Sequence, residues 1–161
     1  MIIGRIPKVL CVGIVPSDAF NGKYAKSPMN FVSDKLSEVT VTWNNAENIE
    51  SRTIPLSFKV AGSKTIPDDI IEGVLSLEKA VANNLMWNGI SKDNYGNGNA
   101  LVCVELIPNI PDALSVIRHG QVKVSVKFRE STTEPLTLIV FGLYQNILEI
   151  DRNRNVTIDR S

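Results

Sequence analysis

Two segments of the chain alternate apolar and polar residues with a period of two. Residues 38–43 (EVTVTW) and 121–129 (QVKVSVKFR) each place their Val and aromatic side chains on one side and polar side chains on the other. Because successive side chains of a strand point to opposite faces, each segment predicts a half-buried β-strand. Residues 54–60 (IPLSFKV) alternate as well, but Pro55 cannot donate to a strand ladder. This third strand is therefore expected at a sheet edge, or beginning there.

Three other segments are apolar on both sides. Residues 8–15 (KVLCVGIV) and 100–107 (ALVCVELI) read as buried strands, each followed by a proline. Residues 136–144 (LTLIVFGLY) have the composition of a central strand that lies between two layers. A final segment, residues 147–158, carries a charged centre between apolar ends.

One segment has the period of an α-helix. Between residues 68 and 84, apolar side chains recur at a spacing close to 3.6. Asp69 followed by Glu72 resembles a capping box, and Asn83 with Asn84 fits a C-terminal stop. We therefore predict one helix over about residues 69–84.

The turn residues complete the expected architecture. Residues 16–31 are rich in Gly, Pro, Asn and Ser, and their aromatic side chains, Phe20, Tyr24 and Phe31, are expected to pack down onto the body. Seven or eight strands, one helix and loops at a spacing of 8–15 residues predict an all-β fold. The prediction is an antiparallel jelly-roll β-sandwich with one inserted α-helix, forming a single domain over residues 1–161.

Composition narrows the function. The 161 residues carry 17 Lys and Arg against 17 Asp and Glu, so the net charge is zero and the chain lacks the basic surface of a dedicated nucleic-acid binder. No apolar run approaches the length of a membrane span, and we expect no membrane partner. One His and two Cys cannot supply an ordinary structural zinc site, nor the several His of a metal-dependent cupin. We therefore expect neither an enzyme nor a cofactor.

The two cysteines bear on the compartment. Cys11 and Cys103 both lie in apolar stretches, where a cysteine usually behaves as a small buried hydrophobe. Two cysteines are far fewer than a disulfide scaffold uses, so buried free thiols are expected in preference to a bridge. The N-terminal residues do not resemble a signal peptide, and a soluble intracellular protein is the default expectation.

Three motifs resemble sites of known chemistry, and a simpler reading is favoured for each. Residues 93–99 (DNYGNGN) begin like a calcium loop, but Tyr95 and Val104 occupy positions that need ligands, so a turn explains them. Residues 22–27 (GKYAKS) lack the spacing of a phosphate-binding loop. His119 has no carboxylate or Cys near it in sequence and is expected in a surface turn.

The densest polar run near the C-terminus has two readings. Asp151, Arg152 and Arg154 alternate with asparagines, and nearby acidic residues balance the charge, which argues against a basic patch. The run is either a solvated hairpin turn or an assembly surface, where the guanidinium groups pair with carboxylates or carbonyls of a neighbour.

Several segments in order resemble the C-terminal jelly roll of double-jelly-roll, hexon-like major capsid proteins of the adintovirus, Polinton (Maverick) and virophage lineage. The similar segments are residues 6–24, 27–31, 89–108, 120–128 and 138–159. The terminal EIDRNRNV is the most specific of them, and together the segments cover most of the chain.

The resemblance implies a structural role. Proteins of that family form pseudo-hexagonal homotrimers, and each subunit brings two jelly rolls that stand perpendicular to the capsid surface. A chain of 161 residues holds one. An excised half, a separately encoded protein and a remnant adopted by a cellular genome all stay open. The family's loop motifs, which lie here at residues 20–22 and 94–96, are read as determinants of the fold.

The first functional hypothesis is a non-enzymatic capsid-type building block that assembles with itself, as the trimer implied by the resemblance or another homo-oligomer, and with other capsid proteins. Its expected location is the virion after assembly inside the host cell, or the intracellular space if it is domesticated. The alternative is a carbohydrate- or receptor-binding module of the lectin or fibre-head type. Trp87, Asp93 and Tyr95 are its candidate ligand loop.

Overall fold

A computed structural model describes residues 1–33, 35–44, 48–61, 64–82, 89–107, 118–144 and 148–158 of the chain. The strands are β1 (Ile2–Arg5), β2 (Val9–Pro16), β3 (Leu36–Asn44), β4 (Ile49–Pro55), β5 (Ser57–Ala61), β6 (Lys64–Asp69), β7 (Val102–Glu105), β8 (His119–Phe128), β9 (Leu136–Leu143), β10 (Leu148–Ile150) and β11 (Val156–Ile158). The helices are α1 (Ser17–Phe20), α2 (Ile71–Ala82) and α3 (Lys92–Tyr95).

The described strands form two larger sheets and two hairpins. One sheet has the order β1-β8-β3-β4 and the other β7-β2-β9, while β5 pairs with β6 and β10 with β11. Every strand pair among the described residues is antiparallel. The prediction of an all-β antiparallel sandwich with one inserted helix is confirmed. The pairing of β2 with β9 and of β3 with β8 is nested, so that the chain wraps around itself.

The core lies between the two larger sheets, and the alternating segments supply one side of it. Val39, Val41 and Trp43 of β3 are buried, and they face Val126, Val124 and Val122 of β8 in register. Buried side chains from both sheets belong to one continuous cluster. Each fully buried Val contributes about 1.5–3 kcal/mol relative to an exposed one, which fixes the register of the two strands.

The central strand of the smaller sheet is β2, and the prediction that residues 136–144 form a central strand is wrong. β2 pairs with β7 on one side and β9 on the other, and all but one of its residues are buried. Its outer face is covered in part by the ring of Phe31, which lies over Gly13. β9 instead occupies an edge, with half-buried and exposed residues along its length. Both strands are apolar on both faces, yet β2 is central in its sheet and β9 lies at the edge of it.

The expected strand over residues 54–60 is divided in two. β4 ends at Pro55, and β5 begins at Ser57 as part of a separate hairpin. Between them, the N–H of Leu56 donates to the carbonyl of Ser37 at 2.8 Å. β4 is an edge strand, as the proline predicts, because Pro55 cannot donate to a further ladder.

The predicted helix is present as α2 with shorter bounds. It begins at Ile71, whereas Asp69 closes β6, so Asp69 precedes the capping position expected for it. Asn83 and Asn84 lie outside the described residues. Leu77 and Ser76 face the core, and Lys79 makes an ion pair of 3.7 Å with Glu105 of β7. The helix thus covers the β7 side of the smaller sheet.

The two cysteines form a disulfide, and the expectation of free thiols is wrong. Cys11 of β2 lies directly opposite Cys103 of β7, with their Cα atoms 4.1 Å apart. The Leu106 N–H donates to the Lys8 carbonyl, and because hydrogen-bonded and non-hydrogen-bonded pairs alternate along the ladder, the cysteines three positions further on occupy a non-hydrogen-bonded pair. Side chains approach closely at such pairs, which allows the bridge to form. Because 92 residues separate the two cysteines in sequence, only the pairing of β2 with β7 brings them together.

Candidate assembly surface

Residues 148–158 form a hairpin whose turn is built around Asp151. The N–H of Arg154 donates to the Asp151 carbonyl at 3.0 Å, and Arg154 has φ of 65°. This combination is a three-residue turn with a left-handed third position. The Asp151 carboxylate accepts hydrogen bonds from the backbone N–H groups of Asn155 and Asn153 and from the Asn155 side chain. These bonds, those of Asn155 first, hold the pKa of Asp151 below its ordinary value.

Residues 151–155 therefore form a hairpin turn, as the first of the two interpretations of this polar segment expected. Asp151 is engaged within the turn, while Arg152 and Arg154 are exposed, and their guanidinium groups make no hydrogen bond or ion pair to the described residues. Their role as assembly contacts stays a prediction.

The same hairpin carries exposed apolar side chains. Ile150 and Val156 form a cross-strand pair and are 65% and 58% exposed. β10 and β11 form a two-stranded sheet of their own, and such a hairpin is marginally stable in water without a face to pack on. The pair is therefore a candidate contact surface.

A second apolar surface lies at β9, and sequence reasoning missed it because this strand was expected inside the molecule. We define the β9 surface as the open edge of this strand together with Leu138, Phe141, Leu143 and Tyr144, which are all exposed. Phe141, at 63%, is the most exposed of the four. Within the described part of the chain, no strand pairs with the far side of β9.

The β9 edge also lacks the features that usually protect a sheet edge. Natural edge strands carry charges, Pro or a covering element that prevents pairing with another chain. β4 carries Glu50, Arg52 and Pro55, and β7 lies beside α2. The eight residues of β9, LTLIVFGL, contain no charge and no proline. Of the β4, β7 and β9 edges, β9 is therefore the one best suited to bind a further strand.

The lectin-type hypothesis placed Tyr95 in a surface loop that binds a ligand, and the structure does not expose this residue. Tyr95 is fully buried, stacks on Phe58 with ring centroids 6.4 Å apart, and donates its hydroxyl to the Leu101 carbonyl at 2.8 Å. Burial raises the pKa of the Tyr95 hydroxyl. Tyr95 is therefore a core residue, and its proposed role in ligand binding is wrong. Asp93 is exposed in α3, and Trp87 lies outside the described residues.

The loop after β2 presents a different set of aromatic side chains. Phe20 is 55% exposed and Tyr24 is fully exposed, so the expectation that they pack down is wrong, while Phe31 packs on Gly13. Lys23 and Lys26 bind Asp18 at 3.0 and 3.1 Å, and the hydrogen bond from Lys23, followed by that from Lys26, lowers the pKa of Asp18. These ion pairs turn the loop on itself and leave its aromatic side chains in solvent.

The described residues show neither a metal-binding cluster nor a membrane-spanning helix. They bring together no group of three or more His, Cys, Asp or Glu side chains that could hold a metal ion. His119 is exposed at the start of β8, opposite Arg5. Among the helices of the described residues, none is both long and apolar enough to cross a membrane.

These features define an antiparallel β-sandwich with an open, uncharged edge. No family model matches the chain, and no solved structure matches it. The chain is similar to a Caenorhabditis elegans protein named "Uncharacterized protein F54H12.2", with 24% identity over 162 residues. The match covers 96% of this chain and 37% of that protein, so the chain spans little more than a third of the length of the curated relative it matches.

Proposed function

We propose that the protein is a non-enzymatic structural building block of capsid type that assembles with copies of itself. The observation that carries the proposal is the β9 surface, an uncharged edge strand with exposed apolar side chains on both faces, Leu138 on one and Phe141 and Leu143 on the other. Exposed apolar groups that adjoin one another mark interaction sites, since their burial between subunits releases water from both.

The C-terminal hairpin also supports an assembled state. The hairpin at β10 and β11 follows β9 after four residues and adds Ile150, Val156 and the two exposed arginines. Aromatic and Arg side chains are enriched in interface centres, and guanidinium groups suit the polar rim of such a surface. The capsid-type assignment itself rests on the ordered resemblance of the sequence segments.

The disulfide bears on the location that we propose. Disulfides persist in oxidising surroundings, which include the surfaces of virions, and are rare in the reducing cytosol. The Cys11–Cys103 bridge therefore favours a mature protein in a virion over one retained inside the cell.

Sedimentation velocity from low to high micromolar concentration tests the proposal. We expect a mass that rises with concentration, and we expect Phe141→Ser to shift the protein toward the monomer. Phe20→Ser is the matched control, because Phe20 is similarly exposed at 55% but lies at the end of α1 and not in β9. A strict monomer at every concentration would overturn the proposal, as would equal effects of the two variants.

A second candidate function uses the loop after β2. Tyr24 is fully exposed within a loop that ion pairs hold in place, and such a ring can serve as a platform for a sugar or a receptor side chain. A glycan array compares the wild type with Tyr24→Ser. Loss of glycan binding in the variant alone would support this role, and no binding by either protein would remove glycans as its ligand.

A further inference from the structure

We propose that β9 pairs with β9 of a second copy, antiparallel and across a two-fold axis at Val140, so that the two smaller sheets become one continuous sheet. This inference rests on the proposed function, because it names the partner and the register of the same surface.

The direction of the β9 hydrogen bonds determines which residues are available. The carbonyl of Pro135 accepts the Ser17 N–H at 2.9 Å, and the carbonyl of Leu143 accepts the Lys8 N–H at 2.7 Å. Odd-numbered residues at both ends of β9 therefore bond toward β2. Hydrogen bonding alternates along an antiparallel strand, so the even-numbered residues direct their N–H and C=O groups to the open side. These residues are Leu136, Leu138, Val140, Gly142 and Tyr144.

A two-fold axis at Val140 pairs all five of these residues. Val140 then faces its own equivalent, and Leu138 faces Gly142 of the second copy. The odd-numbered side chains follow from the same register: Ile139 lies opposite Phe141, and Thr137 lies opposite Leu143. Aromatic and β-branched side chains are favourable cross-strand partners, so the register buries the exposed ring of Phe141 against Ile139.

The self-complementary register argues for a second copy as the occupant, and charge does not oppose it. An antiparallel strand that pairs with itself brings its own residues opposite one another, and a charged strand would suffer like-charge repulsion. β9 carries no charge, so self-pairing meets no such repulsion.

The area is consistent with a reversible dimer. A stable interface buries about 800 Å² per partner. Phe141 and Tyr144 are about half exposed, and side chains of this kind bury roughly 150–250 Å² each, so together they supply about 200 Å². The remainder must come from Leu138, Leu143, the backbone of β9 and the Ile150–Val156 pair of the C-terminal hairpin. We therefore expect association that depends on concentration in the micromolar range.

Disulfide trapping tests the register. Leu143→Cys and Thr137→Cys are purified separately with the native bridge intact, mixed, and oxidised with glutathione disulfide. We expect the cross-linked heterodimer to form at least about tenfold faster than either variant cross-links alone, because pairing holds the two thiols together. The control mixture is Leu143→Cys with Glu50→Cys, whose cysteine lies exposed on β4. Equal rates in both mixtures would overturn the register.

Proline substitution tests the hydrogen bonds. Leu138→Pro removes an N–H that faces the open side and leaves the ladder to β2 intact, while Leu138→Ala removes the side chain and keeps the N–H. We expect the proline variant to lose most of the dimer and the alanine variant to keep it. If the proline variant does not fold, the trapping result decides.

The two proposals fail differently. A strict monomer by sedimentation overturns both. The second outcome is an oligomer that depends on concentration but forms no fast cross-link between cysteines at positions 137 and 143 and is unaffected by Leu138→Pro. This outcome leaves the proposed function in place and overturns β9 pairing.

Discussion

Cys11 and Cys103 lie directly opposite one another on β2 and β7, where a disulfide joins residues 92 positions apart in sequence. The bridge ties the central strand of the smaller sheet to the strand on which α2 packs. A cross-link that closes a long loop restricts the unfolded chain, which is its main contribution to stability.

The first prediction concerns this bridge. Cys11→Ser with Cys103→Ser is expected to lower the free energy of unfolding by about 2–4 kcal/mol, since the unfolded chain regains its freedom. Thermal melts followed by circular dichroism measure the loss. Dithiothreitol should destabilise the wild type by a similar amount and leave the double variant unchanged. Two reactive thiols in the denatured, unreduced wild type would contradict the bridge.

The second prediction concerns the buried hydroxyl of Tyr95. Tyr95→Phe removes the hydrogen bond to the Leu101 carbonyl and leaves that acceptor unpaired, at a cost of about 1–3 kcal/mol. The melting temperature should fall by roughly 2–4 °C for each kcal/mol. Tyr24→Phe is the matched control, because the Tyr24 side chain is fully exposed and should melt like the wild type. Equal melting of all three proteins would count against the burial of Tyr95.

The third prediction concerns the close packing of Phe31 on β2. A Cβ at Gly13 would lie 2.6 Å from ring atoms of Phe31 and 2.9 Å from Leu101. Gly13→Ala should therefore cost about 1–3 kcal/mol of stability in chemical denaturation, as overpacked cores do. Adding Phe31→Leu should recover part of the loss. An alanine variant as stable as the wild type would show that the ring does not cover this position.

The fourth prediction concerns the left-handed residue of the C-terminal turn. Arg154 has φ of 65°, a conformation that costs an ordinary residue about 1–2 kcal/mol and glycine little. Arg154→Gly should slow amide hydrogen exchange in β10 and β11, whereas Arg154→Lys should leave it unchanged. If the guanidinium group contacts a neighbour, both variants should also weaken association. Faster exchange in the glycine variant would contradict this turn geometry.

The fifth prediction concerns acid. Because hydrogen bonds lower the pKa of Asp151 in the folded state, its contribution to hairpin stability is fully present above its ordinary pKa of 3.8 and is lost as pH falls through the lowered value. Amide shifts of Asn153 and Asn155 in an NMR pH titration should report this step. Asp151→Asn should abolish it. A midpoint above 3.8 would contradict the hydrogen-bonded carboxylate.

Much of the fold follows from local patterns. The alternations over residues 38–43 and 121–129 became β3 and β8 with the expected buried faces, because a period of two on a half-buried sheet leaves one register that buries all the Val side chains. The helix was also predicted, since its apolar spacing fits only one backbone period. Pro55 placed its strand at an edge because it lacks a backbone donor.

The candidate surfaces depended on contacts between distant segments. The composition of 136–144 indicates an apolar strand, but which strand lies beside it is decided by pairing across more than a hundred residues. Tyr95 looks like a ligand-loop residue until Leu101 and Phe58 are placed around it.

By itself, the sequence determined the all-β class, the faces of β3 and β8, the position of the helix and the absence of net charge. Only the tertiary structure decided that the cysteines are joined, that β2 is central and that β9 forms an uncharged edge of the sheet that the described strands build. The physical reason is that periodicity records which side of a strand avoids water, whereas hydrogen-bonded neighbours are chosen by the packing of the whole chain.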